Sequence, residues 1–319
     1  MDNTTVMPLA EAGAARPDWK APRVSVLMTI YNPGEHLRPA LDSLFAQTMQ
    51  DFELVVVENG SRDGAKSIIH EYARDPRVRL VDLAENIGRV PALNKALERA
   101  RASYVAILDA DDIAYPSRLA SQVELLDLRP DVVLVASHVD YIDETGTVIG
   151  RFTAPNDSQL LQERLSYANP FNHSACTFRR DVALDLGGYS SRYPIGNDFD
   201  LWLRLANKGS LAMVETSLGA IRYHSAQTTF ASASGFARLY DAISIYRRAL
   251  WRPGLSRDVR RLGRANLATH HFVLAGELWR ARRPVAAAQQ LVLTLITAPG
   301  FVMRRAGVRL RRVLGRQAP

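Results

Sequence analysis

Three aspartates stand within four residues of one another, at Asp109, Asp111 and Asp112. They follow the short apolar run Tyr104–Leu108, whose residue types and length are typical of a buried β-strand. In an open α/β sheet, ligands bind beyond the carboxyl ends of the strands. Carboxylates this close repel one another unless a cation neutralises them, and such oxygen ligands favour Mg²⁺ or Mn²⁺ that arrives with substrate phosphates. The cluster therefore indicates either a metal and phosphate site or a solvated acidic turn.

The sequence around this cluster alternates between strand-like and helix-like stretches. The strand-like runs are Val24–Ile30, Phe52–Val57, Val78–Leu83, Tyr104–Leu108 and Val132–Ser137. Helix-like stretches lie between them, at Leu37–Gln47, Lys66–Ala73, Pro91–Ala100 and Arg118–Leu128. This rhythm predicts an α/β fold with a mostly parallel, Rossmann-like central sheet and helices on both faces. Farther along, we predict a hairpin over Tyr141–Arg151, a polar, turn-rich stretch to about Tyr189, a helix over Asp198–Asn207, and helices after Phe236.

Composition limits the class of protein. With 47% hydrophobic and 23% charged residues, the 319-residue chain is predicted to be globular, with room for a large α/β domain and an appendage. Its single cysteine, Cys176, excludes an intrachain disulfide framework and a cysteine-rich metal site, which fits a reducing cytosol. Residues 1–22 lack the apolar core of a secretory signal, so we expect a disordered lead-in there.

The net charge of +7 is unevenly distributed along the chain. Residues 236–319 contain 17 Arg, no Lys and 3 acidic residues, which gives +14 there and −7 for the rest. Such a tail predicts an anionic partner. Its apolar segment, Val285–Met303, is too polar for a predicted membrane span but has arginines on both sides. We interpret it as a segment that lies in a membrane interface; a helical bundle packed on the body, or another anionic partner, is the alternative.

Several motifs occur in a fixed order over Pro22–Gln227. They are Thr29-Ile30-Tyr31-Asn32, Glu58-Asn59-Gly60-Ser61-Arg62-Asp63-Gly64, Asn86-Ile87-Gly88-Arg89, Leu108-Asp109-Ala110-Asp111-Asp112 and Asn197-Asp198-Phe199-Asp200. Together they resemble the inverting family-2 glycosyltransferases of the GT-A fold, of the non-processive bacterial surface-glycan type. The processive signature Q-x-x-R-W is missing from the sequence, so the resemblance implies transfer of a single sugar.

On the donor side, the resemblance implies that Thr29 and Tyr31 contact the nucleobase and that Arg89 reaches the diphosphate. Asn59 stands where the family commonly has an aspartate that recognises the base imide, and its amide oxygen can accept the same hydrogen bond. The resemblance thus implies a UDP- or dTDP-sugar as the donor. Asp109 is expected at the ribose or at a metal-bound water.

The resemblance assigns a divalent ion, Mn²⁺ or Mg²⁺, to Asp111, with His224 completing its shell or touching the diphosphate. Asp112 is expected to cap the following helix. On the acceptor side, Asp198 is expected to be the general base that takes the proton of the acceptor hydroxyl, with Asp200 as the alternative. His173 is expected to line the acceptor pocket.

The expected function is a metal-dependent inverting transfer from a nucleotide-diphospho sugar to a glycan or lipid-linked acceptor in surface polysaccharide synthesis. We expect a glycosyltransferase domain over residues 23–235, with a donor half at 23–139 and an acceptor half at 140–235. A basic helical region over 236–319 is expected to contact the inner face of the cell membrane from the cytoplasm. Nucleic acid is not expected as a partner.

Other classes of protein remain as alternatives. A nucleotidyltransferase needs a glycine-rich, basic phosphate loop after the first strand, and a NAD-dependent enzyme needs G-x-G-x-x-G there; Tyr31-Asn32-Pro33-Gly34-Glu35 matches neither. A catalytically weak nucleotide- or glycan-binding protein, docked at the membrane by its tail, is favoured by Asn59 and Asn197, which stand where the family has acids. The intact Asp109, Asp111 and Asp198 favour an enzyme.

Overall fold

The computed structural model describes residues 22–224 and 235–300. The chain divides into two compact units. The first contains the chain up to Leu161 and Pro170–Ser225, and the second contains Gln162–Asn169 and the chain from Ala226 onward. Apart from Pro22, the expected lead-in lies outside the described residues, and so do the arginines after Gly300.

The first unit is built on a mixed sheet of nine described strands. They are β1 Val24–Ile30, β2 Phe52–Asn59, β3 Val78–Leu83, β4 Tyr104–Ile107, β5 Ile113–Ala114, β6 Val132–Ile142, β7 Val148–Phe152, β8 Thr177–Arg179 and β9 Ser210–Arg222. Their order is β3-β2-β1-β4-β8-β6-β9-β5, and β7 pairs with β6 off this path.

Seven described helices begin within this part of the chain. They are α1 Leu37–Phe45, α2 Ala65–Tyr72, α3 Arg89–Arg99, α4 Arg118–Leu128, α5 Ser158–Arg164, α6 Arg180–Asp185 and α7 Asn197–Leu205. Two 3₁₀ turns accompany them, at Gly34–His36 and His173–Ala175.

Strand direction brings many chain ends to one edge of the sheet. β1 is parallel to β2 and β4, β2 is parallel to β3, and β6 is parallel to β9. β8 is antiparallel to both β4 and β6, so β6 runs in the same direction as β4. The carboxyl ends of six strands therefore meet at one edge, which we call the site edge.

Side-chain alternation explains why both faces of the sheet are covered. Val24, Val26, Met28 and Ile30 point to one face of β1 and belong to a buried cluster with apolar residues of α1, α2 and α4. Leu27 points to the opposite face and is fully buried there, on the side where α3 packs against β1 and β2. The predicted mostly parallel sheet with helices on both faces is confirmed.

The sequence-based prediction of secondary structure was less accurate for segments that are stabilised by pairing with strands far away in the sequence. β6 continues to Ile142, five residues past the predicted end, before the predicted hairpin turns into β7. The stretch before Tyr189 is not only turns, because it contains β8 and α6. β8 has three residues and lies between β4 and β6, so partners far away in sequence stabilise it rather than a local pattern.

The second unit contains three described helices, α8 Gly235–Ala249, α9 Arg257–Arg280 and α10 Pro284–Thr297. The Ser256 hydroxyl accepts a 3.2 Å hydrogen bond from the Val259 amide and so caps α9. A small core joins the helices through Leu239, Leu274, Leu278 and Ala287. No helix within the described ranges is both long and apolar enough to cross a membrane.

Candidate active site

The turns that follow β1 and β2 are tied together at the site edge. The Asn32 side-chain oxygen accepts a 2.8 Å hydrogen bond from the Arg62 amide, and the Asn32 amide donates to Ser61 Oγ at 3.1 Å. The Gly34 amide donates to Asp63 Oδ2 at 2.7 Å. Tyr31, directly before this connection, is 49% exposed, and Thr29 is half-buried at the end of β1. The exposed Tyr31 ring thus lies next to two turns that are joined by hydrogen bonds.

Asn59, which is expected to recognise the nucleobase, forms hydrogen bonds to the loop before α3. Its side chain is buried, and its Oδ1 accepts a 2.9 Å hydrogen bond from the Ile87 amide. Its Nδ2 donates to Asn86 Oδ1 at 3.0 Å. The amide that we predicted to recognise a nucleobase therefore holds the loop before α3. Sequence reasoning also missed buried Glu58, whose carboxylate accepts from the amides of Gly60 and Ser61 at 3.1 and 2.7 Å.

Gly60 is predicted to be essential for this turn. Its φ is +74°, and a Cβ at this position would lie 2.6 Å from the carbonyl carbon of Glu85. Gly60→Ala should therefore lower the free energy of unfolding by at least about 2 kcal/mol, measured by urea denaturation. Gly64→Ala is the matched control, because Gly64 also has positive φ, +91°, but has no atom within 4 Å of its added Cβ. Equal losses in the two variants would contradict a steric role for Gly60.

Asp109 forms a charged network with Arg89 and His173. Arg89 Nη2 donates to Asp109 Oδ1 and Oδ2 at 2.9 and 3.0 Å, and it lies 3.0 Å from His173 Nδ1. His173 Nδ1 is 3.5 Å from Asp109 Oδ1, and its Nε2 is 3.0 Å from the Tyr189 hydroxyl. His173, expected at the acceptor pocket, is thus a buried neighbour of the acidic loop.

The charges of this network shift the pKa values of both members of the Arg89–Asp109 ion pair. Burial alone would raise the pKa of Asp109, but Arg89 and His173 more than offset it and hold that pKa well below its usual range. Asp109 raises the pKa of Arg89, and Asp198 and Asp111 add to the effect. Arg89 therefore lies within the electrostatic field of three carboxylates, and it is a fixed cation at the site edge.

Asp111 and His224 meet, although they are distant in sequence. His224 Nε2 is 2.9 Å from Asp111 Oδ2, and their side chains keep 14% and 24% exposure. The His36 ring packs against the His224 ring, with centroids 5.1 Å apart. Burial, followed by the charge of Arg222, lowers the pKa of His36. Nothing in the sequence pattern pointed to His36, because its partner comes from the end of β9.

Arg222 fixes the acidic loop to the end of β9. Its amide donates to Asp112 Oδ1 at 2.9 Å, and its Nε donates to the Asp111 carbonyl at 3.0 Å. The prediction that Asp112 caps the next helix is wrong, because α4 begins at Arg118 with Ser117 as its first flanking residue. Burial, with Asp111 and Asp109 nearby, raises the pKa of Asp112 well above its ordinary value. Asp112 is therefore an internal anchor of the loop.

A second arginine, Arg118, is buried close to the acidic loop. Arg118 is 1% exposed, and its Nη2 donates to the carbonyls of Ile107 and Cys176 at 2.8 and 3.3 Å. Burial lowers the pKa of Arg118 to about 10, while the Cys176 thiol and the carboxylates of Asp112 and Asp109 act in the opposite direction. The guanidinium thus joins β4 to the segment before β8 immediately below the acidic loop.

Asp198 and Asp200 have different surroundings, although both lie in the first turn of α7. Asp198 is half-buried and close enough to Arg89 to raise its pKa. Asp200 is fully buried, and Arg204 contacts its Oδ2 through Nη2 at 2.7 Å. Arg204 also donates to the carbonyls of Leu186 and Gly188 at 2.9 and 2.7 Å. The Asp200 side chain is thus withdrawn from solvent in an ion pair, which does not suit a general base.

We predict that Asp200→Ala reduces stability rather than chemistry. Removing one partner of a buried pair leaves the other charge uncompensated, so the free energy of unfolding should fall by about 3 kcal/mol. Urea denaturation followed by circular dichroism measures this loss. Transfer by the folded fraction, assayed well below the transition, should stay near the wild-type rate. A stable but inactive Asp200→Ala protein would instead identify Asp200, and not Asp198, as the general base.

The donor set at Asp111 and His224 fits a divalent ion. A carboxylate oxygen and an imidazole nitrogen converge there, both partly exposed, and Mn²⁺ accepts both ligand types. Within residues 22–224 and 235–300, no group of three or more His, Cys, Asp or Glu could hold an ion. An ion held by Asp111 and His224 would take other donors, such as substrate phosphates or water, for the rest of its shell.

The sheet defines the class of fold. The fold is similar to that of S. aureus TarS residues 1–349 in complex with UDP-GlcNAc, with a TM-score of 0.66 and 17% identity over 86% of this chain and 79% of that one. A mannosyltransferase from Pyrobaculum calidifontis, in complex with GDP-Man and Mn²⁺, has a TM-score of 0.58 and 21% identity over 92% and 81% of the two chains. The chain therefore has the predicted GT-A glycosyltransferase fold. It spans 43% of a longer TarS chain.

Sequence comparison identifies the family. The family model described as glycosyl transferase family 2 matches residues 25–187, and the chain belongs to this family. It is 32% identical to the O-antigen biosynthesis glycosyltransferase WbnJ of Escherichia coli over 58% of this chain and 72% of WbnJ. It is 33% identical to the amylovoran biosynthesis glycosyltransferase AmsE of Erwinia amylovora over 58% and 70% of the two chains. The protein is therefore a glycosyltransferase, as predicted.

Proposed function

We propose that the protein transfers one sugar, with inversion, from a nucleotide-diphospho sugar to a hydroxyl of a glycan or lipid-linked acceptor, and that it depends on a divalent metal. The observation that carries this proposal is the convergence at the site edge of Arg89–Asp109, Asp111–His224 and Asp198. Together they offer a cation for phosphate, ligands for an ion and a carboxylate for a proton.

Donor binding is assigned to the two tied turns and to Arg89. Tyr31 offers its exposed ring to the base, and Thr29 lies at the end of the same strand. The donor is proposed to be a UDP- or dTDP-sugar. The Arg89 guanidinium, held by Asp109, can stabilise the negative charge that grows on the diphosphate as the glycosidic bond breaks. Asp109, which forms an ion pair with Arg89, is proposed to contact the ribose or a metal-bound water.

Asp111 and His224 are the residues that would hold Mn²⁺ or Mg²⁺. A bound ion supplies electrostatic stabilisation to the leaving diphosphate. The Pyrobaculum calidifontis mannosyltransferase, whose structure was solved in complex with GDP-Man and Mn²⁺, supports this assignment by analogy of fold. The two side chains already touch, so the protein loses little conformational entropy in bringing them together.

Asp198 is proposed as the general base. Its carboxylate accepts the proton of the acceptor hydroxyl while that oxygen bonds to the anomeric carbon and the bond to the diphosphate breaks. A single displacement of this kind inverts the configuration at the anomeric carbon.

The acceptor and the location are proposed from the relatives and from the charge of the tail. WbnJ and AmsE are named for O-antigen and amylovoran biosynthesis, which supports a surface-polysaccharide acceptor. The Arg-rich C-terminal region supports peripheral contact with the inner face of the cell membrane.

Donor hydrolysis tests the proposed reaction. We expect at least one UDP- or dTDP-sugar in a panel to be hydrolysed slowly with Mn²⁺, and chelation of the metal to abolish this turnover. A complete lack of hydrolysis and transfer, with nucleotide binding retained, would instead identify a catalytically weak binding protein. Thermal shift detects that binding, because a ligand stabilises the folded state in proportion to the logarithm of its concentration.

A further inference from the structure

Helix α10 has its apolar side chains on the outside. The residues that it buries are Ala287 and Thr294, at 2% and 1% exposure, and Gln290 packs on the same side with its Oε1 2.7 Å from His271 Nδ1 of α9. These three positions recur every three or four residues, so they form one face of the helix. The inward face of α10 is thus small and polar, which is the reverse of an ordinary helix on a protein core.

The opposite side of α10 carries large aliphatic side chains. Val285 and Ile296 are 73% and 72% exposed, and Val292 is 54% exposed. We call this surface the α10 outer face; its exposed large residues are Val285, Leu291, Val292, Leu293, Leu295 and Ile296. Residues 284–300 contain no charged side chain. Leaving this much apolar surface in water is unfavourable, since burying each such side chain is worth about 1.5–3 kcal/mol.

Positive charge borders the α10 outer face at its amino-terminal end. Exposed Arg280, Arg282 and Arg283 precede the helix, and among the described residues Arg280 alone of these three forms an ion pair, with Glu277. Trp279, next to them, is 68% exposed, and aromatic side chains of this type favour the boundary between lipid headgroups and acyl chains. Residues 301–319, which follow directly in the sequence, contain six more arginines and no acid.

We propose that the α10 outer face docks into the headgroup region of an anionic lipid membrane, with Trp279 at the interface and Arg282 and Arg283 on lipid phosphates. An uncharged strip that is mostly apolar, with the one exposed amide of Gln289, lies beside exposed arginines and matches such a surface in both polarity and charge. A second copy of the chain is a poorer occupant, because its own α10 outer face offers no anionic group to Arg282 and Arg283. The inference deepens the proposed membrane contact, and it does not depend on the proposed transfer chemistry.

Vesicle flotation with the full-length protein tests this surface. We expect binding to vesicles of phosphatidylcholine mixed with phosphatidylglycerol, and little binding to phosphatidylcholine alone. The double variant Val292→Asp, Ile296→Asp should lower partitioning at least about tenfold. Arg282→Gln with Arg283→Gln should lower it about fivefold for each charge, with less effect at high salt. Leu128→Asp is the matched control, because Leu128 is a 73% exposed leucine of the first unit, and its partitioning should be unchanged.

Three results would overturn the proposal. They are wild-type partitioning by the Val292→Asp, Ile296→Asp variant, equal binding to neutral and anionic vesicles, or a wild-type dimer in sedimentation that this variant dissociates. Circular dichroism establishes that each variant is folded. Donor hydrolysis in the absence of vesicles is measured on the same preparations, so a failure of the proposed reaction is seen separately from a failure of membrane docking.

Discussion

Asp198→Asn should lower kcat for sugar transfer by about 10²–10⁴-fold, because that is the usual contribution of a positioned general base. The amide keeps the shape of the side chain but cannot take the proton of the acceptor hydroxyl. Donor affinity should change little, since Asp198 is assigned to the acceptor side. Initial rates at saturating donor and acceptor measure the loss, and nucleotide binding by calorimetry measures the affinity.

Asp200→Ala is the control for this experiment, since both aspartates lie in the first turn of α7. The two variants should separate cleanly, with Asp198→Asn stable and inactive and Asp200→Ala less stable and active. A loss of donor binding in Asp198→Asn, in proportion to its loss of rate, would place Asp198 on the donor instead.

Asp111→Asn should reduce transfer by about 10²–10³-fold and weaken the apparent affinity for Mn²⁺, because it removes the anionic ligand of the proposed ion. His224→Gln should act in the same way, and the double variant should lose less than the product of the two single losses, since the side chains touch. Transfer rates are measured over a Mn²⁺ titration for the wild type, the two single variants and the double variant. These rates give the coupling free energy between Asp111 and His224.

Asp131→Asn is a matched control for the loss of a carboxylate. Asp131 forms a surface ion pair with Arg129 and is 51% exposed, so its removal should change neither the rate nor the response to metal. Retention of wild-type activity and Mn²⁺ dependence by Asp111→Asn would exclude Asp111 as a metal ligand.

Much of the fold was predictable because its signals are local. Strands such as β1 are continuous apolar runs, and the helices between them bury one face, so their positions follow from a few neighbouring residues. β8 was missed because three residues carry no periodicity. The family motifs contain candidate residues near the ends of predicted strands, and the parallel strand direction brings those ends to one edge.

The internal connections of the site could not be predicted in the same way. That Asn59 holds the loop at Ile87, and that Arg222 fixes Asp112, depends on hydrogen bonds between residues 28 and 110 positions apart. The sequence does not distinguish a polar side chain that faces a ligand from one that bonds to the backbone of another loop. Arg222 stands two residues before His224, and that neighbourhood was the one signal that pointed toward it.

The anchoring of the acidic loop by Arg222 also links this loop to a part of the chain that is synthesised much later. The turns after β1 and β2 are joined by residues about thirty positions apart, so they can assemble early. The acidic loop has to wait for a partner 110 residues farther along. At roughly 5–20 residues per second, a ribosome needs about 5–20 s to deliver it. Both turns after β1 and β2 can thus be present in a nascent chain well before the partner of its acidic loop has been made.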